Sequence, residues 1–325
     1  MFTLFFMGQS IIKDWVHVPG RHCASTALAD LMRFYGHALT EPECFCAGAG
    51  LGFWYIEGLT PARLMHFRSR DIEEVFFRNI GAAFQWHTAG SKEDLRSALV
   101  TSIDSGAPVL LRTDIFYLDY YKSKTHFPGH VVVLWGYDLE GGTAYISDTE
   151  RKGLTMCSLD ALLEGVMHGD FPEGTQAHFT PVAEPAAIPQ KKKLLADAAR
   201  ENAKSMLDQD GFEGYGVKGM QLASKKVVEW KELHDWKWLA RFAYQVMEKR
   251  GTGGGGFRKM YTEALQEFAG KRPVAAMGQI AARWTDISAV LKEISESQVP
   301  DFRMVADMLL IQAIKEEEFY KDILG

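Results

Sequence analysis

Among the four cysteines, Cys23, Cys44, Cys46 and Cys157, Cys23 holds the position a nucleophile needs. It stands directly before a helical stretch, and a thiol at a helix N-terminus feels the positive end of the helix dipole, which favours the reactive thiolate. Arg21 and His22 beside it add positive charge. His130 follows Pro128-Gly129 and opens the apolar run Val131-Val-Val-Leu-Trp135, and Asp148 lies just past the next strand-like run. If the two runs form a hairpin, their backbones lie about 5 Å apart and the His and Asp ends meet. Such a set does nucleophilic chemistry: His130 takes the thiol proton, and Asp148 holds the imidazole in the right tautomer. His126, in the loop before the Pro-Gly turn, is a rival base. Singly, a small buried thiol at a helix start and a satisfied strand-end histidine explain Cys23 and His130 better. It is the combination that points to catalysis.

Other candidate residues carry weaker signals. Cys44 and Cys46 form a CxC without the second ligand pair zinc needs nearby, so they read as two buried thiols and no metal is expected. Gly253, Gly254, Gly255 and Gly256 precede Phe257-Arg258-Lys259. Exposed backbone N–H groups with Arg258 and Lys259 make a phosphate site, although the run lacks the Gly-Lys-Ser/Thr ending of a nucleotide loop. A flexible connection between helices explains the run equally well. The lysine triplet at 191–193, with Arg200 and Lys204, could meet an acidic protein, but a solvated linker is the stronger explanation. Trp230, Trp236 and Trp238 fall with Leu233, Leu239 and Phe242 on what reads as one long helix, mostly as core.

The elements that must position these residues are legible from periodicity. Residues 24–35 read as a helix with Leu28, Leu31, Met32 and Tyr35 on one face and Gly36 as the stop. Ser91 caps a second helix, with Asp94 near its N3 position, Leu95, Leu99 and Ile103 as the apolar stripe, and Gly106 as the end. Strands are expected over 108–112, 130–137 and 144–147. The middle one is apolar on both faces, hence central and buried, and Gly141-Gly142 turns it into the third. Residues 181–193, with three prolines and three lysines, read as a linker. Beyond it helical periodicity covers 194–207, 222–249, 257–268, 273–297 and 301–323.

Composition bounds the rest. The 325 residues, 47% hydrophobic and 24% charged, make a globular chain of about two domains at roughly 100–200 residues each, not a disordered, collagenous or coiled-coil one. A net charge of −6 argues against nonspecific binding to nucleic acid or anionic membrane. No run approaches the roughly 20 apolar residues of a membrane span. The opening MFTLFFM lacks a basic n-region and a full h-region, so it reads as a first strand and not as a signal peptide. Four cysteines are too few for a disulfide scaffold, and a reducing cytoplasm is expected.

The segments His22-Cys23-Ala24-Ser25-Thr26-Ala27-Leu28, Phe34-Tyr35-Gly36, Leu39-Thr40-Glu41 and Gly48-Ala49-Gly50-Leu51-Gly52-Phe53-Trp54-Tyr55 resemble the N-terminal domain of the butirosin biosynthesis protein H family. Pro128-Gly129-His130 through Gly136-Tyr137-Asp138 and Ile146-Ser147-Asp148-Thr149 continue the likeness. In the helical half, Lys249-Arg250-Gly251-Thr252 through Phe257-Arg258-Lys259-Met260-Tyr261 is similar to the conspicuous motif of that family's C-terminal domain. The resemblance implies an α+β chain: a papain-like, C39-like domain over 1–182, a linker over 183–193 and an all-helical domain over 194–325. It implies transfer of an acyl group from an acyl carrier protein thioester, through a cysteine acyl-enzyme, to an amine acceptor in specialised metabolism. Cys23, His130 and Asp148 match the family's nucleophile, base and orienting acid.

One position departs from the pattern. Papain-like enzymes usually carry Gln six residues before the Cys, and here that position is His17. The oxyanion hole is then expected from the Cys23 backbone N–H with Gln9 or His17. No cofactor is bound in this scheme. The phosphopantetheine of the carrier is the donor arm, with Gly253, Gly254, Gly255, Arg258 and Lys259 as its phosphate contacts. A small-molecule amine, the carrier and a second copy of the chain are the partners to consider. Two alternatives stay open: a papain-like peptidase or amidase transferring to water, and a non-catalytic binding module.

Overall fold

In the computed structural model, which describes residues 8–58, 63–149, 151–169, 177–208 and 210–325, elements follow in chain order. The first half runs β1 (Gln9–Ile11), α1 (Cys23–Phe34), α2 (Glu41–Ala47), β2 (Leu51–Glu57), β3 (Arg63–Arg68), α3 (Ile72–Ile80), β4 (His87–Ala89), α4 (Lys92–Asp104), β5 (Val109–Thr113), β6 (His130–Asp138), β7 (Thr143–Ser147), β8 (Thr155–Ser158), α5 (Leu159–Met167) and β9 (Ala177–Pro181). The second half is helical: α6 (Lys191–Met206), α7 (Gly216–Lys226), α8 (Trp236–Glu248), α9 (Arg258–Leu265), α10 (Lys271–Glu296) and α11 (Arg303–Leu324). The strand expected over the opening MFTLFFM lies outside the described residues. No helix among those described is long and apolar enough to cross a membrane.

These elements cluster into two units. The first comprises residues 1–44 and 81–187, the second 45–80 and 188–325. The division departs from the linear one read along the sequence, because residues 45–80 gather with the late helices. The stretch expected as a linker ends inside α6, whose first turn is the lysine triplet.

The first unit is an antiparallel sheet in the order β4-β9-β5-β6-β7-β8, with β1 also paired to β6. β5 lines β6 from Thr113↔His130 to Val109↔Leu134, and β1 continues from Ile11↔Gly136 to Gln9↔Asp138. The expected central strand is confirmed, since Val131 through Leu134 are at most 2% exposed. Such burial requires both faces of the sheet to be covered, and α1 and α4 both pack on β6. The Gly141-Gly142 turn to β7 forms with Gly142 at φ +61°. α4 begins as read: the Ser91 hydroxyl accepts from the Asp94 N–H at 3.1 Å.

In the second unit the β2–β3 hairpin packs with the helices. Phe53, Phe67 and Trp284 form a ring cluster with centroids 4.9–5.6 Å apart. The helix expected over 222–249 is broken. α7 stops at Lys226, a 3-10 turn spans Val227–Glu232, and α8 restarts at Trp236. Trp230 and Leu239 are nine residues apart, which on one continuous helix at 100° per residue puts them on opposite faces. The break lets both be buried, each 1% exposed, and leaves Trp238 at the surface.

Candidate active site

The Cys23 end of the site is assembled by hydrogen bonds from residues before and after α1. His22 is the N-cap, and its ring accepts from the Ser25 N–H. The Glu41 carboxylate accepts from the backbone N–H groups of Arg21 and His22, both at 2.7 Å, and from the Thr26 hydroxyl at 3.1 Å. Charge-assisted bonds of this kind are the strong ones, and they fix the turn that delivers Cys23 to the helix start. Gly20 donates its N–H to the Thr149 carbonyl at 2.8 Å. A side chain at Gly20 would meet the Thr26 hydroxyl at 2.1 Å, so the close approach requires glycine. Cys23 is half-buried, whereas Cys44, Cys46 and Cys157 are buried. Burial pushes the Cys157 thiol up to about 12 and raises Cys44 well above the ordinary range, which keeps both as inert neutral thiols.

His130 and Asp148 meet as the hairpin requires. His130 Nε2 lies 2.8 Å from Asp148 Oδ1, the two side chains being 7% and 0% exposed. The Thr113 hydroxyl donates to the His130 carbonyl at 3.0 Å and pins the strand end. Because Asp148 takes Nε2, Nδ1 is the ring nitrogen left for Cys23, whose side chain hydrogen-bonds to His130. Burial opposes a charge on His130, but the Asp148 carboxylate and the Cys23 side chain overcome it and push the imidazole up to about 10. Burial opposes the charge on Asp148 too, yet His130 and the Tyr120 and Thr149 hydroxyls pull it down to about 2. The rival base, His126, is bound elsewhere: its Nδ1 lies 2.7 Å from Asp114 and its side chain is 58% exposed.

Several residues at the site have no signature in the sequence. Tyr120 donates to Asp148 Oδ2 at 2.6 Å and Thr149 to Oδ1 at 3.0 Å. The Tyr121 hydroxyl lies 3.3 Å from His130 Nε2. The Arg151 guanidinium sits over both tyrosine rings, 5.2 and 4.6 Å from their centroids. Tyr120 and Tyr121 come from the long connection between β5 and β6, where no periodicity exists to read. The same connection holds Phe116-Tyr117, so a pair of adjacent aromatics does not single out the residues at the site.

The remaining sequence candidates divide. Gln9 pairs with Asp138 at the far end of β6. Eight residues of strand, about 26 Å at roughly 3.3 Å each, separate that point from His130, so Gln9 is not an oxyanion donor. It binds the Tyr145 hydroxyl instead. His17 is buried with Nδ1 2.5 Å from Asp30, and its Nε2 has no hydrogen-bond partner among the described residues.

The glycine run is also not a phosphate cradle. Glu248 already occupies it, accepting from the Gly255 N–H at 2.8 Å and the Thr285 hydroxyl at 2.7 Å, with the Lys259 ammonium 3.5 Å away. The Gly254 N–H goes to the Thr252 hydroxyl. Arg258 is 0% exposed and paired with Glu316 at 2.8 Å, with further donation to the Gly52, Phe67 and Gly256 carbonyls. Gly253, Gly254, Gly255 and Gly256 all have positive φ. A side chain at Gly256 would strike the Phe67 ring at 2.5 Å. The glycines therefore serve a tight backbone turn within the second unit. The basic residues of α6 are partly neutralised, Lys193 and Arg200 by Asp197 and Lys191 by Glu267.

A half-buried cysteine at a helix start, bonded to a histidine that a buried aspartate orients, is the residue set of nucleophilic cysteine chemistry, carried here on an α+β unit with an antiparallel sheet. Residues 22–149 match the family model for butirosin biosynthesis protein H, N-terminal, and residues 167–323 match a Domain of unknown function (DUF4872). In that order the two domains place the chain in the butirosin biosynthesis protein H-like family. No curated protein matches the chain.

Proposed function

We propose that the protein is a papain-like acyltransferase of natural-product biosynthesis. It moves an acyl group from an acyl carrier protein thioester to a small-molecule amine through a Cys23 acyl-enzyme. The observation that carries this reading is the Cys23–His130–Asp148 chain: a half-buried thiol bonded to an imidazole whose other nitrogen is held by a buried carboxylate. The family match to a butirosin biosynthesis protein supports the setting.

At rest the Cys23 proton sits on His130, and in the first step the Cys23 thiolate attacks the thioester carbonyl. The carbonyl–sulfur bond to the carrier's phosphopantetheine breaks, and that thiol leaves with the proton from His130. In the second step the amine attacks the acyl-enzyme and gives its proton to His130. The bond to Cys23 breaks, and an amide and the starting Cys23 thiolate with its proton on His130 result. One thioester is exchanged for another in the first step and converted to a more stable amide in the second, so no energy input is needed. The N–H groups at the start of α1, with His17, are the donors we assign to the oxyanion.

Intact mass spectrometry after incubation with a carrier-bound acyl thioester tests the reading. An adduct on Cys23 should form, be absent in Cys23→Ala, and discharge on adding an amine. No adduct would overturn it. Discharge by water at the same rate without amine would instead make the protein a hydrolase of the same residue set.

A further inference from the structure

The Asp148 carboxylate accepts from three donors, namely His130 Nε2, Tyr120 and Thr149, and they come from three separate chain segments. We infer that Tyr120 is a positioning residue for the proposed reaction: its hydrogen bond to Oδ2 turns Asp148 so that Oδ1 faces His130 and keeps Nδ1 directed at Cys23. The inference rests on the acyltransferase reading given above.

The geometry makes this bond more than packing. A carboxylate rotating about its terminal torsion is held only broadly, and a second donor on the opposite oxygen removes that freedom. Tyr121 sharpens the need, because its hydroxyl, 3.3 Å from Nε2, can replace Asp148 there with a neutral partner. Burial and the neighbouring Asp148 keep both phenols un-ionised, so Tyr120 remains a donor. Arg151 stacks on both rings, and its backbone N–H bonds to the Asp148 carbonyl at 2.9 Å, which closes the turn. Thr149, at φ +28°, bonds Asp148 with its hydroxyl and accepts from Gly20 with its carbonyl. The same turn therefore links the acid to the chain three residues before Cys23. The ionisable groups facing the His130–Asp148 pair are Cys23, Tyr120, Tyr121, Arg151 and, behind Asp148, Cys157.

The test is the rate of Cys23 alkylation by iodoacetamide against pH, read by peptide mass spectrometry, in wild type, Tyr120→Phe and Cys23→Ala. Tyr120→Phe keeps the ring under Arg151 and removes only the hydroxyl. Loss of one bond to a carboxylate should move the midpoint of the Cys23 profile up by about one pH unit and slow alkylation roughly tenfold on the acid side of the wild-type midpoint. A role in packing alone would lower the melting temperature and leave the Cys23 profile where it is. A Tyr120→Phe profile superimposed on that of an activated wild type overturns the positioning role and leaves the acyltransferase reading intact. A wild-type Cys23 that titrates like a free thiol overturns both.

Discussion

Asp148 and His130 hold opposite charges in a buried place, and that pairing sets how the site responds to pH. His130 is raised from its ordinary 6.5 to about 10. Its contribution to stability is therefore complete below about 6.5 and is lost as pH climbs through about 10. Asp148 is lowered from 3.8 to about 2, so its contribution is complete above about 4 and is lost as pH falls through about 2. Thermal melts of wild type and His130→Gln across pH 4 to 10 should differ most between about pH 4 and 6.5 and converge toward pH 10. A constant difference across that range would mean the pair is not charged in the folded protein. On the acyltransferase reading proposed above, the rate should likewise keep its plateau until His130 loses its proton on the alkaline side, where an imidazolium would no longer supply the proton to the leaving thiol. A rate profile falling near pH 6.5 would sink that assignment.

At the scale of elements, the turn into α9 shows how one buried charge organises a unit. Arg258 Nε and its two guanidinium nitrogens bond Glu316 on α11 and the carbonyls of Gly52 and Phe67 on β2 and β3. Glu316 also accepts from Trp284, Gln312 and Tyr320. Removing one partner of a buried pair strands the other charge, at a cost of about 3–5 kcal/mol. Arg258→Ala should lower chemical-denaturation stability by about that amount. Lys259→Ala, whose ammonium is half-exposed and 3.5 Å from Glu248, should change it by no more than about 1 kcal/mol. Equal effects from the two substitutions would refute the structural assignment of Arg258. A similar rule of position separates the expected from the observed helices. α1 and α4 are legible because an apolar stripe and a stop coincide. The break between α7 and α8 is not, because each half is helical by periodicity and the burial of both Trp230 and Leu239 that the break permits is set by tertiary packing.

For the whole molecule, the consequence is that cutting the chain where its composition changes does not cut between units. Residues 45–80 carry Phe45, Phe53 and Phe67, all fully buried. Phe45 stacks on Phe257, and Phe53 and Phe67 pack on Trp284. A fragment of residues 1–187 loses those partners and exposes the rings to water, each worth roughly 1.5–3 kcal/mol of burial. It should aggregate or bind a hydrophobic dye and lack a cooperative melt by circular dichroism. A monomeric fragment with a sharp transition would show that residues 45–80 do not need the late helices.

The candidate set Cys23, His130 and Asp148, the central strand, the hairpin that brings His130 to Asp148, and the helical second half were all within reach of the sequence alone. Residue type, alternation and turn residues act over a few positions, and these features are local or linked by a single turn. Tertiary structure alone decided the rest. Tyr120 and Arg151 reach Asp148 from irregular segments with no period to read. Gln9 is separated from the site by the register of β1 on β6. Arg258 is drawn inward by a carboxylate 58 residues away, which left the glycine run a backbone turn instead of an anion site. Each depends on which distant surfaces are buried together, and burial is a property of the packed chain that no stretch of residues carries by itself.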